Sequence, residues 1–177
     1  LRLEQALVKA GADGVAFPIA VASGPHGALP HYRPTQRTIA VGEPIVIDMG
    51  AVVAGYCADL TRTVWLGQAD EQLERIFGIV LAALEAAEAG IRPGMTGREA
   101  DRLAREVIER AGYGEAFTHS LGHGVGVRVH EAPALSPASE QVLAPGQVVT
   151  IEPGIYLPGW GGVRIEDLVV IRDDGVE

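Results

Sequence analysis

The chain has 177 residues, 47% of them hydrophobic, enough for one domain with a substantial core. Its formal charge is −9, from 14 Lys and Arg against 23 Asp and Glu, which argues against a nucleic-acid surface, where basic clusters are expected. The single cysteine, Cys57, excludes an intramolecular disulfide, no run approaches the ~18 apolar residues of a membrane span, and the charged first ten residues do not read as a signal peptide; a cytoplasmic protein with neither nucleic-acid nor membrane partners is the expectation.

The first residues, LRLEQALVKAGA, read as helix interior and carry no initiator methionine, so a fragment of a longer protein is expected. Gly11 stops this helix. One strand is predicted within Gly14 to Gly24, with Pro18 at an edge or bulge, then a proline-bounded loop with His26 and His31. Pro44 to Met49, Val52 to Ala58 and Thr61 to Leu66 read as strands, with turns or bulges at Gly50 and Gly55. Asp70 to Ala89 is an amphipathic helix, with Leu73, Ile76, Phe77, Val80, Leu81 and Leu84 at helical spacing. A second helix runs from about Thr96 to Ala111, Thr96 and Glu99 forming a capping-box signature and Gly112 its stop. Four further strands are predicted: Ala116 to Leu121, Val125 to His130, Val148 to Tyr156 and Val163 to Ile171. LVKAG at Leu7 to Gly11 matches IERAG at Ile108 to Gly112, and each precedes a similar phrase. Either this is chance likeness of two helix ends, or the chain holds two α+β halves related by a pseudo-twofold.

Five potential ligands lie inside apolar or glycine-rich segments: Asp48 in VIDMG, Asp59 in CADLTR, His123 in LGHGVG, Glu152 in TIEPG and Glu166 in RIEDLVV. A carboxylate in a strand-like apolar run is costly unless something pairs with it. Four converging on one cleft would repel each other, and two divalent cations would balance them, which points to a dinuclear site and to hydrolysis. Oxygen ligands with one imidazole and no thiolate favour Mn²⁺, Co²⁺, Fe²⁺ or Zn²⁺. Plainer readings exist: Asp48 caps a turn with Gly50, Asp59 pairs with Arg62, Arg164 is an ordinary salt-bridge partner, and His119 is a core or solvated histidine.

The five segments in this order, with FTHSLGHGVGVRVHEAP, TIEPGIY and GGVRIED, resemble the metallopeptidase family of methionine aminopeptidase, aminopeptidase P and prolidase, most of all its Xaa-Pro branch. The resemblance implies an α+β pita-bread (creatinase/aminopeptidase) fold. Its two halves are related by a pseudo-twofold, and its strongly curved, mostly antiparallel sheet carries helices on the outer face. Residues 1–177 would be the catalytic domain, lacking an upstream helix and an N-terminal domain that in the family contributes to a homodimer and to substrate selection. By the same resemblance Asp48, Asp59, His123, Glu152 and Glu166 hold two divalent ions, Mn²⁺ favoured over Co²⁺, Zn²⁺ or Fe²⁺, with Asp59 and Glu166 bridging. Glu152 would also be the general base. His130 would contact substrate or the tetrahedral intermediate, and His31, His119 and Arg164 would help form the substrate site. The implied reaction is attack by a metal-bridged hydroxide on the peptide bond before proline. Methionine aminopeptidase, and a non-catalytic peptide-binding module on the same fold, are the alternatives.

Overall fold

The structure, a computed structural model, describes residues 2–29, 32 and 35–177. In chain order its regular elements are α1 (Arg2–Lys9), β1 (Gly14–Val15), β2 (Ala20–Ser23), β3 (Ile45–Met49), β4 (Ala51–Val53), β5 (Tyr56–Cys57) and β6 (Leu60–Val64). Then follow α2 (Glu71–Gly90), α3 (Gly97–Arg110), β7 (Gly122–Gly124), β8 (Glu131–Leu135), β9 (Val148–Ile151), β10 (Gly154–Leu157), β11 (Gly161–Arg164) and β12 (Asp167–Val170). All strand pairs are antiparallel and form four small sheets, ordered β1-β4-β5, β2-β3-β6, β12-β9-β7-β8 and β10-β11.

Both long helices begin as their sequences require. The Asp70 carboxylate accepts from the Leu73 N–H, and Thr96 and Glu99 form a complete capping box. One face of α2 buries Leu73, Ile76, Val80, Ala83, Leu84 and Ala87. Burying a Leu, Ile or Val side chain contributes roughly 1.5–3 kcal/mol, so this face fastens α2 to the core. That core joins α2 and α3 to Leu121, Leu135, Val149, Ile151, Ile155, Val163 and Ile171 of the later strands and connections. α1 and α3 both end in a glycine with positive φ, Gly11 at 107° and Gly112 at 87°, as the shared phrase at their ends implies. No helix among the described residues is long and apolar enough to cross a membrane.

Most strands are shorter than expected or change partners, and two expected strands do not form. Gly14 to Gly24 is two strands, β1 and β2, in different sheets, separated around Pro18. Val52 to Ala58 is a tight hairpin, its turn made by Ala54 and Gly55 at φ of 50° and 83°. Ala116 to Leu121 is not a strand but the end of a 3-10 turn and an irregular segment, and Val125 to His130 is a series of bends before β8. The two long apolar runs each break in the middle, at Glu152-Pro153 and at Ile165-Glu166. Pro153 has no N–H to continue a ladder. β9 pairs with β12 below the breaks and β10 with β11 above them.

Replacing Thr96 by Ala removes the cap from α3 and is expected to lower stability by about 1 kcal/mol, read as a fall in the midpoint of denaturant unfolding without a change in its slope. An unchanged midpoint would mean that tertiary packing alone sets the start of α3.

Candidate metal centre

Asp48 lies on β3, where the register sets it opposite Thr61 of β6, and Asp59 immediately precedes β6. The two carboxylates therefore belong to one antiparallel pair, while the β4–β5 hairpin between them pairs with β1. Glu152 and Glu166 occupy the two strand breaks. His123 is the middle residue of β7, and its N–H donates to Thr150 Oγ1 at 3.0 Å. Its flanking glycines are required by close approach: a Cβ at Gly122 would strike the Thr150 carbonyl, and one at Gly124 the Ala132 carbonyl.

These side chains converge. A cavity of about 400 Å³ is lined by Asp48, Asp59, His123, Glu152 and Glu166, and also by His119, His130 and Arg164. Single carboxylate oxygens of Asp48, Asp59 and Glu166 lie within 4.8 Å of one another. His123 Nδ1 lies 3.1 Å from the Gly124 carbonyl, to which it must donate, so Nε2 is the nitrogen presented to the carboxylates, 3.3 Å from Glu152 Oε1 and 3.7 Å from Asp59 Oδ2. The rings of His123 and His130 are 4.1 Å apart. His31 lies outside the described residues.

The donor set fits a cation. Glu166 is only 2% exposed; its Oε2 accepts from the Thr61 hydroxyl at 2.6 Å, while its buried Oε1 has no hydrogen-bond partner. A buried carboxylate oxygen without a donor, facing other carboxylates, is the arrangement a metal ion completes.

The contacts bear on two of the plainer readings, that of Asp59 and that of Arg164. Arg62 does not pair with Asp59; it donates to Asp167 at 2.6 Å and to the Glu166 carbonyl. Asp48 is held by Arg164 Nη2 at 2.6 Å. Arg164 is thus an ion-pair partner, and the carboxylate it fixes is one of the candidate ligands. It also donates from Nε to Thr61 Oγ1 at 3.1 Å and from Nη1 to the Tyr156 hydroxyl at 3.0 Å. β11 ends at Arg164, so Glu166 lies beyond the strand. Both nevertheless face the cavity, and Ile165 faces the core.

A directed chain follows from these contacts. His119 Nδ1 is 2.7 Å from the Ser120 carbonyl and must donate to it, which leaves Nε2 as acceptor for the Tyr156 hydroxyl at 2.8 Å. Both ring nitrogens are committed, so His119 offers the cavity a carbon edge. Burial holds its pKa below the ordinary histidine value and pushes that of Tyr156 up to about 12. Sequence reasoning missed Tyr156, Thr61 and Thr63. The available signal was β6 itself, whose inward residues are hydroxylic: Thr63 Oγ1 donates to the Arg164 carbonyl at 2.9 Å and accepts from the Arg164 N–H at 3.0 Å.

Residues 1–173 match metallopeptidase family M24. The chain belongs to that family. It is 46% identical to a Xaa-Pro dipeptidase of Pyrococcus furiosus over 176 residues, 99% of this chain and 51% of the relative. It is 50% identical to the uncharacterized peptidase YqhT of Bacillus subtilis over 165 residues, 93% of this chain and 47% of the relative. Among solved structures, an X-Pro aminopeptidase from Thermotoga maritima superposes with a TM-score of 0.96 at 47% identity, and the prolidase from Pyrococcus furiosus with 0.97 at 46%. In each case 99% of this chain is covered, with 50% and 52% of the solved chains. The fold is that of the pita-bread enzymes, and the chain spans about half the length of these relatives.

For an M24 chain the electrostatics are coherent. Burial, then Asp48 and Glu152, push Asp59 up to about 7. Burial, then Glu152 and Asp59, push Glu166 up to about 9. Burial disfavours charge on both His123 and Glu152, yet their contact outweighs it, raising the histidine and lowering the carboxyl. Without metal, protons thus take the place of cations. The raised carboxyls hold protons that the unfolded chain releases at its ordinary value of about 4. Their stabilising contribution is full below that pH and is lost as pH rises through about 7 for Asp59 and about 9 for Glu166. Metal-free protein in chelator is therefore expected to melt at lower temperature as pH is raised over this window, and saturating Mn²⁺ to abolish that decline, both measured by calorimetry. A metal-free melting temperature that rises toward high pH would contradict the crowded-carboxylate picture.

Proposed function

We propose that the protein is a divalent-metal-dependent exopeptidase that hydrolyses the peptide bond before proline, as a Xaa-Pro dipeptidase or Xaa-Pro aminopeptidase. The observation that carries this reading is the convergence of Asp48, Asp59 and Glu166 carboxylate oxygens, with Glu166 Oε1 buried and without a hydrogen-bond partner, in a chain of family M24. The names of its relatives supply the Xaa-Pro class.

Asp48, Asp59, His123, Glu152 and Glu166 are the proposed holders of two ions, Mn²⁺ ahead of Co²⁺, Zn²⁺ or Fe²⁺. Bound there, the ions supply Lewis acidity, polarising a carbonyl and lowering the pKa of water. The chain's own residues do the rest. Glu152 accepts the proton of the attacking water and returns one to the leaving amine. Arg164 and Thr61 keep the Asp48 and Glu166 carboxylates in place, so that little rearrangement accompanies the reaction. His130, at the cavity wall beside His123, is assigned to the developing oxyanion. His31 is assigned to the substrate near the scissile amide. His119, with both nitrogens committed, forms the wall against which the substrate packs.

Two variants test this in hydrolysis of Ala-Pro and Ala-Pro-Ala by the Mn²⁺-loaded protein. Glu152→Gln is expected to cut turnover by roughly 10²–10⁴-fold, the range for loss of a general base, and to weaken metal binding. His130→Ala is expected to lower kcat roughly 10²-fold, as for loss of an oxyanion donor, with metal content unchanged by elemental analysis. Loss of metal in His130→Ala would make that residue a ligand instead.

A further inference from the structure

The segment from Phe117 to Leu121, expected as a strand, has no strand partner, and its backbone is served by two side chains of α3. Asp101, on the buried face of α3, accepts the Leu121 N–H on Oδ1 at 3.0 Å. Arg105 donates from Nη1 to the Phe117 carbonyl at 3.0 Å and from Nη2 to the His119 carbonyl at 2.8 Å. Its Nε and Nη2 also grip Asp101 as a fork, at 2.6 and 2.9 Å. The guanidinium lies 4.1 Å from the centre of the Phe117 ring, which in turn meets the His119 ring edge-on at 5.2 Å. An exposed i,i+4 ion pair on a helix would do little. This one is different in kind: the Asp101 side chain is 2% exposed and that of Arg105 17%, and both reach past each other to the segment bearing His119.

We propose that Arg105, gripped by Asp101, is a positioning residue for the substrate pocket, setting from behind where His119 stands. It touches neither cavity nor candidate ligand; it acts by holding the carbonyls on either side of Thr118 and the ring against which His119 rests. Through the bond from Tyr156 to His119 Nε2, this setting joins the Tyr156–Arg164–Asp48 chain. The assignment of a catalytic consequence rests on the exopeptidase reading above; the placement of His119 does not.

The test uses Arg105→Lys and Arg105→Ala, alone and with His119→Ala. Lysine keeps the charge beside Asp101 but lacks the fork that reaches both carbonyls. Each Arg105 variant is expected to lower kcat/KM for Ala-Pro by roughly 10–100-fold, the usual cost of removing a supporting hydrogen-bond partner, mainly through KM, with bound Mn²⁺ unchanged. In the His119→Ala background the same substitutions should cost less than about threefold, since groups acting through one another are not additive. Histidine ¹⁵N resonances of the Zn²⁺-loaded protein give a readout independent of activity. His119, identified by its loss in His119→Ala, should show a single Nδ1–H tautomer in the parent and averaged nitrogens in both Arg105 variants. Losses that multiply in the double variants, or His119 resonances unchanged in folded Arg105→Lys, would overturn the proposal. A parent protein that hydrolyses no Xaa-Pro peptide, yet whose His119 signals respond to Arg105, would refute the exopeptidase reading and leave the positioning role standing.

Discussion

Four carboxylates share one partly buried cavity, and the fold itself sets a guanidinium, that of Arg164, against one of them. Three parts of the chain meet on that side chain: Asp48 from β3, Thr61 from β6 and Tyr156 from β10. Its other contacts tie its backbone to Thr63, so β11 cannot shift without dragging the guanidinium from Asp48. Removing one member of such a buried pair is more damaging than its net contribution suggests, because the partner charge is left behind without water.

Asp59 and Glu166 carry raised pKa values because burial and neighbouring carboxylates oppose their ionisation. A sequence selected for stability alone would fill this space with apolar side chains. Its retention of carboxylates instead is the pattern of a site where function is kept at a cost in stability. The core formed by α2, α3 and the later strands, which includes Leu121, Ile151 and Ile165 next to cavity-lining residues in the chain, supplies the cohesion the site lacks.

The candidate ligands were legible because four are carboxylates in apolar runs and the fifth, His123, is an imidazole between glycines, local features that need no tertiary knowledge to notice. The helices were legible from period and caps. What stayed hidden depends on partners far along the chain. Thr61 and Glu166 are 105 residues apart, and Arg164 and Asp48 are 116 apart. A threonine in a strand, or a tyrosine before a turn, says nothing by itself about such bonds. The strand breaks were hidden for a related reason: an apolar run records burial, and burial continues unbroken while the pairing partner changes. Ala116 to Leu121 misled because three of its backbone groups are bound by Asp101 and Arg105, which from sequence alone look like an exposed helical ion pair.

The two broken runs, 148–157 and 161–170, are in effect one long two-stranded ribbon folded across its width. Glu152 and Pro153 lie in the crease on one strand, Ile165 and Glu166 on the other, and a single bond, from the Ile165 N–H to the Pro153 carbonyl at 3.4 Å, spans it. Both crease glutamates are also bound outside the ribbon, the Glu152 N–H to the Leu121 carbonyl at 2.8 Å and the Glu166 N–H to the Thr61 carbonyl at 3.1 Å. The separation of the two carboxylates is therefore set by three parts of the chain at once, and the crease is braced against bending.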